Sequence, residues 1–284
     1  MRQTLIALAK LMGFLAAVFG VVVIAIIPWR IALGHLDQVE ARLEILLIGS
    51  LFLAGVAVVS AGMAWIGKSR LVGSGWPAPR VGMRWFAVGA LVGLGLAGVM
   101  LAFTWASGGA RLVATGAGLS PYLRYVLPLV AFLLIAALGE EWIFRGYPLA
   151  VLAPVTGRGW ANVLVALVFT ASHWGGSGWN GLAATNIFLF SLVNGAIRYS
   201  PGGIPAAWGF HFAWNSLQVL SGAVLTGDDL RVPMVRFSSQ GPDWLSGGAF
   251  GPEGALGATA ATIIGLVVLR HFSSAGQWGR TGAK

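Results

Sequence analysis

Residues 124–152, RYVLPLVAFLLIAALGEEWIFRGYPLAVL, decide the fold. From Val126 to Leu138 the run carries no charge; it then passes through Glu140, Glu141 and Arg145 into a second apolar stretch. A bilayer's hydrocarbon core, about 30 Å thick, needs about 20 mostly apolar residues in a helix. This stretch is long enough, and it holds three ionisable groups where charge is expensive and usually functional. Further runs, Leu11–Ile27, Ile45–Ile66 and Trp85–Trp105, have the length to cross a bilayer as well. Backbone in lipid must satisfy its own hydrogen bonds, so repeated runs of this kind mean a helical bundle.

Composition agrees. Of the 284 residues, 57% are apolar and only 10% charged, and the mean hydropathy is +0.81. A soluble domain would carry about a quarter charged residues. The expected fold is an all-α polytopic transmembrane bundle with about eight spans, near 5–27, 43–66, 84–106, 124–152, 159–174, 181–197, 203–225 and 254–271. The first run follows Arg2 and Lys10 as a signal peptide would. It exceeds a usual apolar signal core and lacks a small-x-small site before Pro28, so it reads as a span. No repeat or separate soluble domain is visible, and residues 1–284 read as a single membrane domain.

The absence of cysteine excludes disulfides, thiolate zinc sites and cysteine nucleophiles. A net charge of +9 would suggest nucleic acid in a soluble protein. Here the basic residues sit at span ends, so no nucleic-acid partner is expected; the bilayer is the partner. With the N-terminus cytoplasmic, eleven Lys and Arg fall on the inner side, six on the outer, and Arg145 within a span. That bias follows the positive-inside rule and puts both termini in the cytoplasm. Seven of the nine acids, Glu253 among them, fall on the outer side; Glu140 and Glu141 are the exceptions. His35 and His271 lie at span edges, His173 and His211 inside spans. Gly89-x-x-x-Gly93 marks a face for close helix approach, by ordinary bundle packing or as a homo-oligomer seam.

Glu141 and Arg145, four apart, share a helix face and can pair. Glu140 points elsewhere. His173 follows Phe169, and Asn215 follows His211, at the same spacing. Pro154, Gly157 and Gly159 break the chain near Thr156–Gly157. Glu140 and His173 are equidistant from that turn, each about 25 Å away along a straight helix. They are therefore expected at one depth, unless Pro148 kinks the span.

A carboxylate in a low-dielectric site can take a proton from water. A nearby imidazole can orient that water or protonate the leaving amine, and His211 with Asn215 can donate to an oxyanion. Such a set suits peptide hydrolysis within the membrane. Glu140, His173 and His211 would also make a two-histidine, one-carboxylate zinc set. Each residue has a plainer alternative: a structural Glu141–Arg145 pair, a satisfied polar contact at His173, packing at Phe169, an interhelical hydrogen bond from Asn215.

In order and on separate spans, Glu140-Glu141-x-x-x-Arg145, Phe169-x-x-x-His173 and His211-x-x-x-Asn215 resemble the three motifs of the CPBP family. That family contains the CAAX-processing endopeptidases of the Rce1 type and bacterial Abi relatives linked to bacteriocin immunity. The resemblance covers residues 120–225 and implies an intramembrane endopeptidase core. It implies Glu140 as the general base, Glu141 and Arg145 in support, His173 as acid/base partner, and His211 with Asn215 at the oxyanion. It also implies a metal-free glutamate mechanism with no cofactor, zinc remaining the alternative. The expected substrate is a membrane-associated peptide or protein, and the expected location a bacterial inner membrane.

Rival chemistries leave traces that can be checked. The His-Glu-x-x-His zinc signature and paired membrane aspartates are absent. Gly175-Gly176-Ser177-Gly178 matches a rhomboid-like string but sits in a Gly/Trp-rich loop and leaves the glutamates unused. A proton-coupled transporter would line a path with its polar groups, not cluster them at one level. A non-catalytic immunity factor or scaffold would not need all the motif residues. The six tryptophans from Trp142 to Trp214 read mainly as interfacial anchors.

Overall fold

The computed structural model describes residues 2–21, 23, 40–66 and 75–274. The end of the first expected span, His35, and the charges at Arg30, Asp37, Lys68, Arg70, Arg280 and Lys284 lie outside them, as do the side chains of Glu40, Arg42 and Glu44. The helices are α1 Arg2–Val21, α2 Glu40–Ile66, α3 Pro79–Ala106, α4 Leu119–Glu141, α5 Tyr147–Thr156, α6 Arg158–Ser172, α7 Gly181–Arg198, α8 Gly203–Leu220, a short α9 Asp243–Ser246 and α10 Leu256–Ser274. A π turn, Trp142–Gly146, joins α4 to α5.

The chain is a helical membrane protein. Among the described residues, four helical stretches are long and apolar enough to cross a membrane: Arg2–Val21, Pro79–Ala106, Leu119–Thr156 and Gly181–Arg198. The apolar parts of α2 and α10, Gly49–Met63 and Leu256–His271, are shorter, and α6 has only 15 residues. His211, Asn215, Ser216 and Gln218 lower the hydropathy of the 18-residue α8.

Two segments expected as loops contain strand. β1 Ala110–Ala114 pairs antiparallel with β2 Val235–Ser239, Leu112 opposite Phe237. The partners lie more than a hundred residues apart, and five-residue strands leave no local period strong enough to reveal such a pair.

The residues fall into two compact units, Met1–Trp76 with Leu127–Val165, and Pro77–Val126 with Ala166–Lys284. In the first, α1 packs on α5 through stacked Phe14 and Tyr147 rings, 4.9 Å apart. Phe52 of α2 lies against Gly139 so closely that an added Cβ would come within 2.5 Å of the ring.

In the second unit, α3 and α8 approach backbone to backbone. A Cβ on Gly89 would stand 2.0 Å from the Ala206 carbonyl oxygen, and one on Gly93 2.3 Å from that of Phe210. Gly209 returns the approach, facing the Phe86 carbonyl. The Gly89/Gly93 face is thus seated on α8 of the same chain, as small-residue faces in membranes are.

Candidate active site

The candidate residues divide between the units: Glu140, Glu141 and Arg145 in the first, Phe169, His173, His211 and Asn215 in the second.

In the first unit the chain changes its winding at the charges. Pro148 has no N–H to offer the Phe144 carbonyl, and its ring would press on that group in a regular helix. The chain widens into the π turn just before it, and Gly146 (φ −81°, ψ −106°) makes the exit into α5. Turns of this kind occur mostly as single insertions in α-helices, frequently at functional sites. Gly146 is also crowded, since a Cβ there would lie 2.9 Å from Cδ1 of Trp142.

Across the turn, Arg145 donates from a guanidinium nitrogen to Oε1 of Glu141 at 3.1 Å, both side chains at 0% exposure. Glu140, one residue earlier, is half-buried. The local geometry therefore makes a fully sequestered ion pair with a second carboxyl beside it that retains some access. The chain break falls at Gly157 (φ +81°), between α5 and α6. The equal-depth estimate for Glu140 and His173 assumed a straight helix, and the π turn removes that premise for the fourth span.

In the second unit, His173 is not inside a helix. It is the first residue past α6, half-buried, with its N–H donating to the Thr170 carbonyl at 3.1 Å. Its Nδ1 lies 2.7 Å from the Phe169 carbonyl oxygen. A carbonyl can only accept, so the proton sits on Nδ1, and in the neutral ring Nε2 keeps the lone pair. That is the tautomer a general base needs at Nε2. The Phe169 ring stands 4.5 Å from the His173 ring and 6.3 Å from that of His211, in contact with both imidazoles. Phe190 meets His211 edge-on at 5.1 Å. His211 itself is buried, and Asn215, one turn along α8, is half-buried.

The second unit also holds a buried acid that sequence reasoning placed in an outer loop. Glu253, 4% exposed, lies in a 3₁₀ turn before α10. Its Oε1 accepts from the Trp214 indole N–H at 2.8 Å. Its Oε2 accepts from the Thr226 hydroxyl at 2.8 Å and the Thr226 N–H at 3.1 Å. Trp214 is accordingly a buried, hydrogen-bonded core residue and not an interfacial anchor, whereas Trp160 and Trp174 are exposed. No local signal could have found Glu253, because every partner of its carboxylate is more than twenty residues away. Within each unit, no group of three or more His, Asp or Glu side chains among the described residues could hold a metal ion.

A helical, multi-pass membrane protein carrying these motif residues is similar to intramembrane endopeptidases of the CAAX-protease kind. Residues 122–217 match the family model described as Type II CAAX prenyl endopeptidase Rce1-like. All seven motif positions, Glu140 to Asn215, lie inside the match. Among curated proteins, none matches the chain.

Proposed function

We propose that the protein hydrolyses a peptide bond of a membrane-associated protein or peptide by glutamate-activated water. In this reading Glu140 takes the proton from water, and the Glu141–Arg145 pair fixes the end of the helix that carries it. His173 orients the water through the Nε2 lone pair, and once Nε2 has taken up the proton passed on from Glu140 it gives that proton to the leaving amine. His211 and Asn215 donate to the oxyanion of the tetrahedral intermediate. No metal takes part, and eight spans place both termini in the cytoplasm.

The observation that carries this reading is the coincidence of the family match with all three motifs in 122–217. The Nδ1–H tautomer of His173 supports its role. The Rce1-like name supports a CAAX-ended substrate as the first probe.

The experiment uses the purified full chain in lipid nanodiscs with a quenched fluorescent peptide ending in a CAAX box, with and without a farnesyl group. Cleavage is expected in the presence of chelators. Glu140→Gln and His173→Ala are each expected to lower kcat by roughly a hundredfold or more, the typical scale for a general acid–base group. Undiminished cleavage by Glu140→Gln overturns the mechanism. Loss of activity in chelator, restored by zinc, transfers it to the metal alternative. A wild-type chain that cleaves neither peptide, yet supports its biological activity unchanged with Glu140→Gln, is a scaffold or transporter.

A further inference from the structure

The buried Glu253 carboxylate is not among the motif residues, yet its three hydrogen bonds reach the helix that carries His211 and a turn that lies against the loop after His173. One runs to Trp214, the neighbour of Asn215 on α8 and three residues from His211. The Trp214 ring lies 5.4 Å from Phe190, whose edge contacts His211. The other two run to Thr226, held at φ +50°, a conformation costly for a β-branched residue.

The loop after His173 packs on the turn at Thr226 and on Phe250. A Cβ on Gly176 would stand 3.2 Å from the Thr226 carbonyl oxygen, and one on Gly227 2.7 Å from the Ser177 nitrogen. Gly227 in turn donates to the Phe250 carbonyl at 2.9 Å. The backbone of Glu253 is fixed independently, since its carbonyl accepts from the Asn186 amide at 2.8 Å, and Thr259 donates to Asn186 Oδ1 at 2.6 Å.

We propose that Glu253 is a positioning residue, whose carboxylate ties the helix bearing His211 and Asn215 to the turn supporting the His173 loop. It does not touch the reacting atoms. This rests on the proposed roles of the two histidines in catalysis. All three hydrogen bonds are donated into the carboxylate, and glutamine offers one acceptor and one donor end. Glu253→Gln therefore keeps size and shape while turning an N–H₂ group towards either Trp214 or Thr226.

The test uses the full chain in nanodiscs, with histidine labelled at Cε1 and tryptophan at the indole nitrogen, assigned by single substitutions. Glu253→Gln is expected to move the resonances of Trp214, His211 and His173 together. On the quenched peptide it is expected to lower kcat about tenfold with KM within about twofold, the loss of a hydrogen bond to a charged group acting through geometry and not binding. Thr226→Val is expected to act in the same direction, and Thr226→Ser, which keeps the hydroxyl, to behave as wild type. These two carry the test if Glu253→Gln fails to fold. Unmoved histidine resonances, or a lower unfolding temperature with wild-type kcat per folded molecule, overturn the proposal. If wild-type protein cleaves nothing, the resonances still decide the coupling, and only the catalytic reading falls.

Discussion

The two units hold their polar residues in opposite ways. In the first, Glu141 and Arg145 pair with each other across one turn, four residues apart and with no exposure. In the second, His211 sits among Phe169, Phe190 and the Trp214 cluster, and the buried Glu253 carboxylate is bound by groups 27 and 39 residues away. A local ion pair is set by helix geometry as soon as the helix forms. An aromatic cage closed by long-range hydrogen bonds exists only when the whole unit is assembled. Mutations should therefore act through uncompensated charge in the first unit and through packing and orientation in the second.

The largest effect is expected from splitting the pair. Arg145→Leu leaves Glu141 buried without its guanidinium partner, a change that costs about 3–5 kcal/mol. The joint variant Glu141→Leu/Arg145→Leu removes both charges and should recover most of that loss, since apolar replacements of a buried pair are often neutral. Denaturation in mixed micelles reads both variants. A joint variant as unstable as the single one would mean that the π turn, and not the charge balance, needs these residues.

A middle-sized effect separates packing from charge within the first unit. Gly139→Ala in an exposed helix would gain about 1 kcal/mol of propensity. Here its Cβ meets the Phe52 ring at 2.5 Å, and overpacking of that kind costs about 1–3 kcal/mol. A net loss is expected, relieved by Phe52→Leu in the same chain. If Gly139→Ala is stabilising with Phe52 intact, α2 yields and the backbone beside Glu140 is fixed by the ion pair alone.

The difference between the units also explains what could be read in advance. Helical membrane architecture, the Glu141–Arg145 pair and the break at Gly157 follow from hydropathy and from spacings of three to five residues, so they were legible. Legible too was the grouping of Phe169, His173 and His211, through the motif resemblance. The π turn was half legible, since Pro148 announced an irregularity without saying that the ladder would widen one turn before it. Glu253, the Thr226 turn and the β1–β2 pairing were not legible, because each depends on partners brought together by the fold across tens of residues. The end of α6 one residue before His173 was missed for a different reason. No glycine or proline stands between Gly159 and Gly175, while the backbone already turns at His173 and again at Gly175 (φ +91°).

The smallest expected effect tests how His173 is oriented. Ser172 Oγ donates to the Phe169 carbonyl at 2.8 Å and lies 3.3 Å from His173 Nδ1, so hydroxyl and imidazole share one acceptor. The carbonyl oxygen has two lone pairs and can serve both. Ser172 is exposed at the end of α6, so Ser172→Ala should change stability by no more than about 0.5 kcal/mol. The Nδ1–H tautomer should persist, because the shorter bond to the carbonyl remains, and the ring-nitrogen shifts of His173 report it directly. Unchanged shifts with unchanged cleavage place the orientation in the backbone carbonyl and the Phe169 ring. A switch of the proton to Nε2 would move it to the hydroxyl, and the second unit would then owe one of its catalytic groups to a local contact of the kind that governs the first.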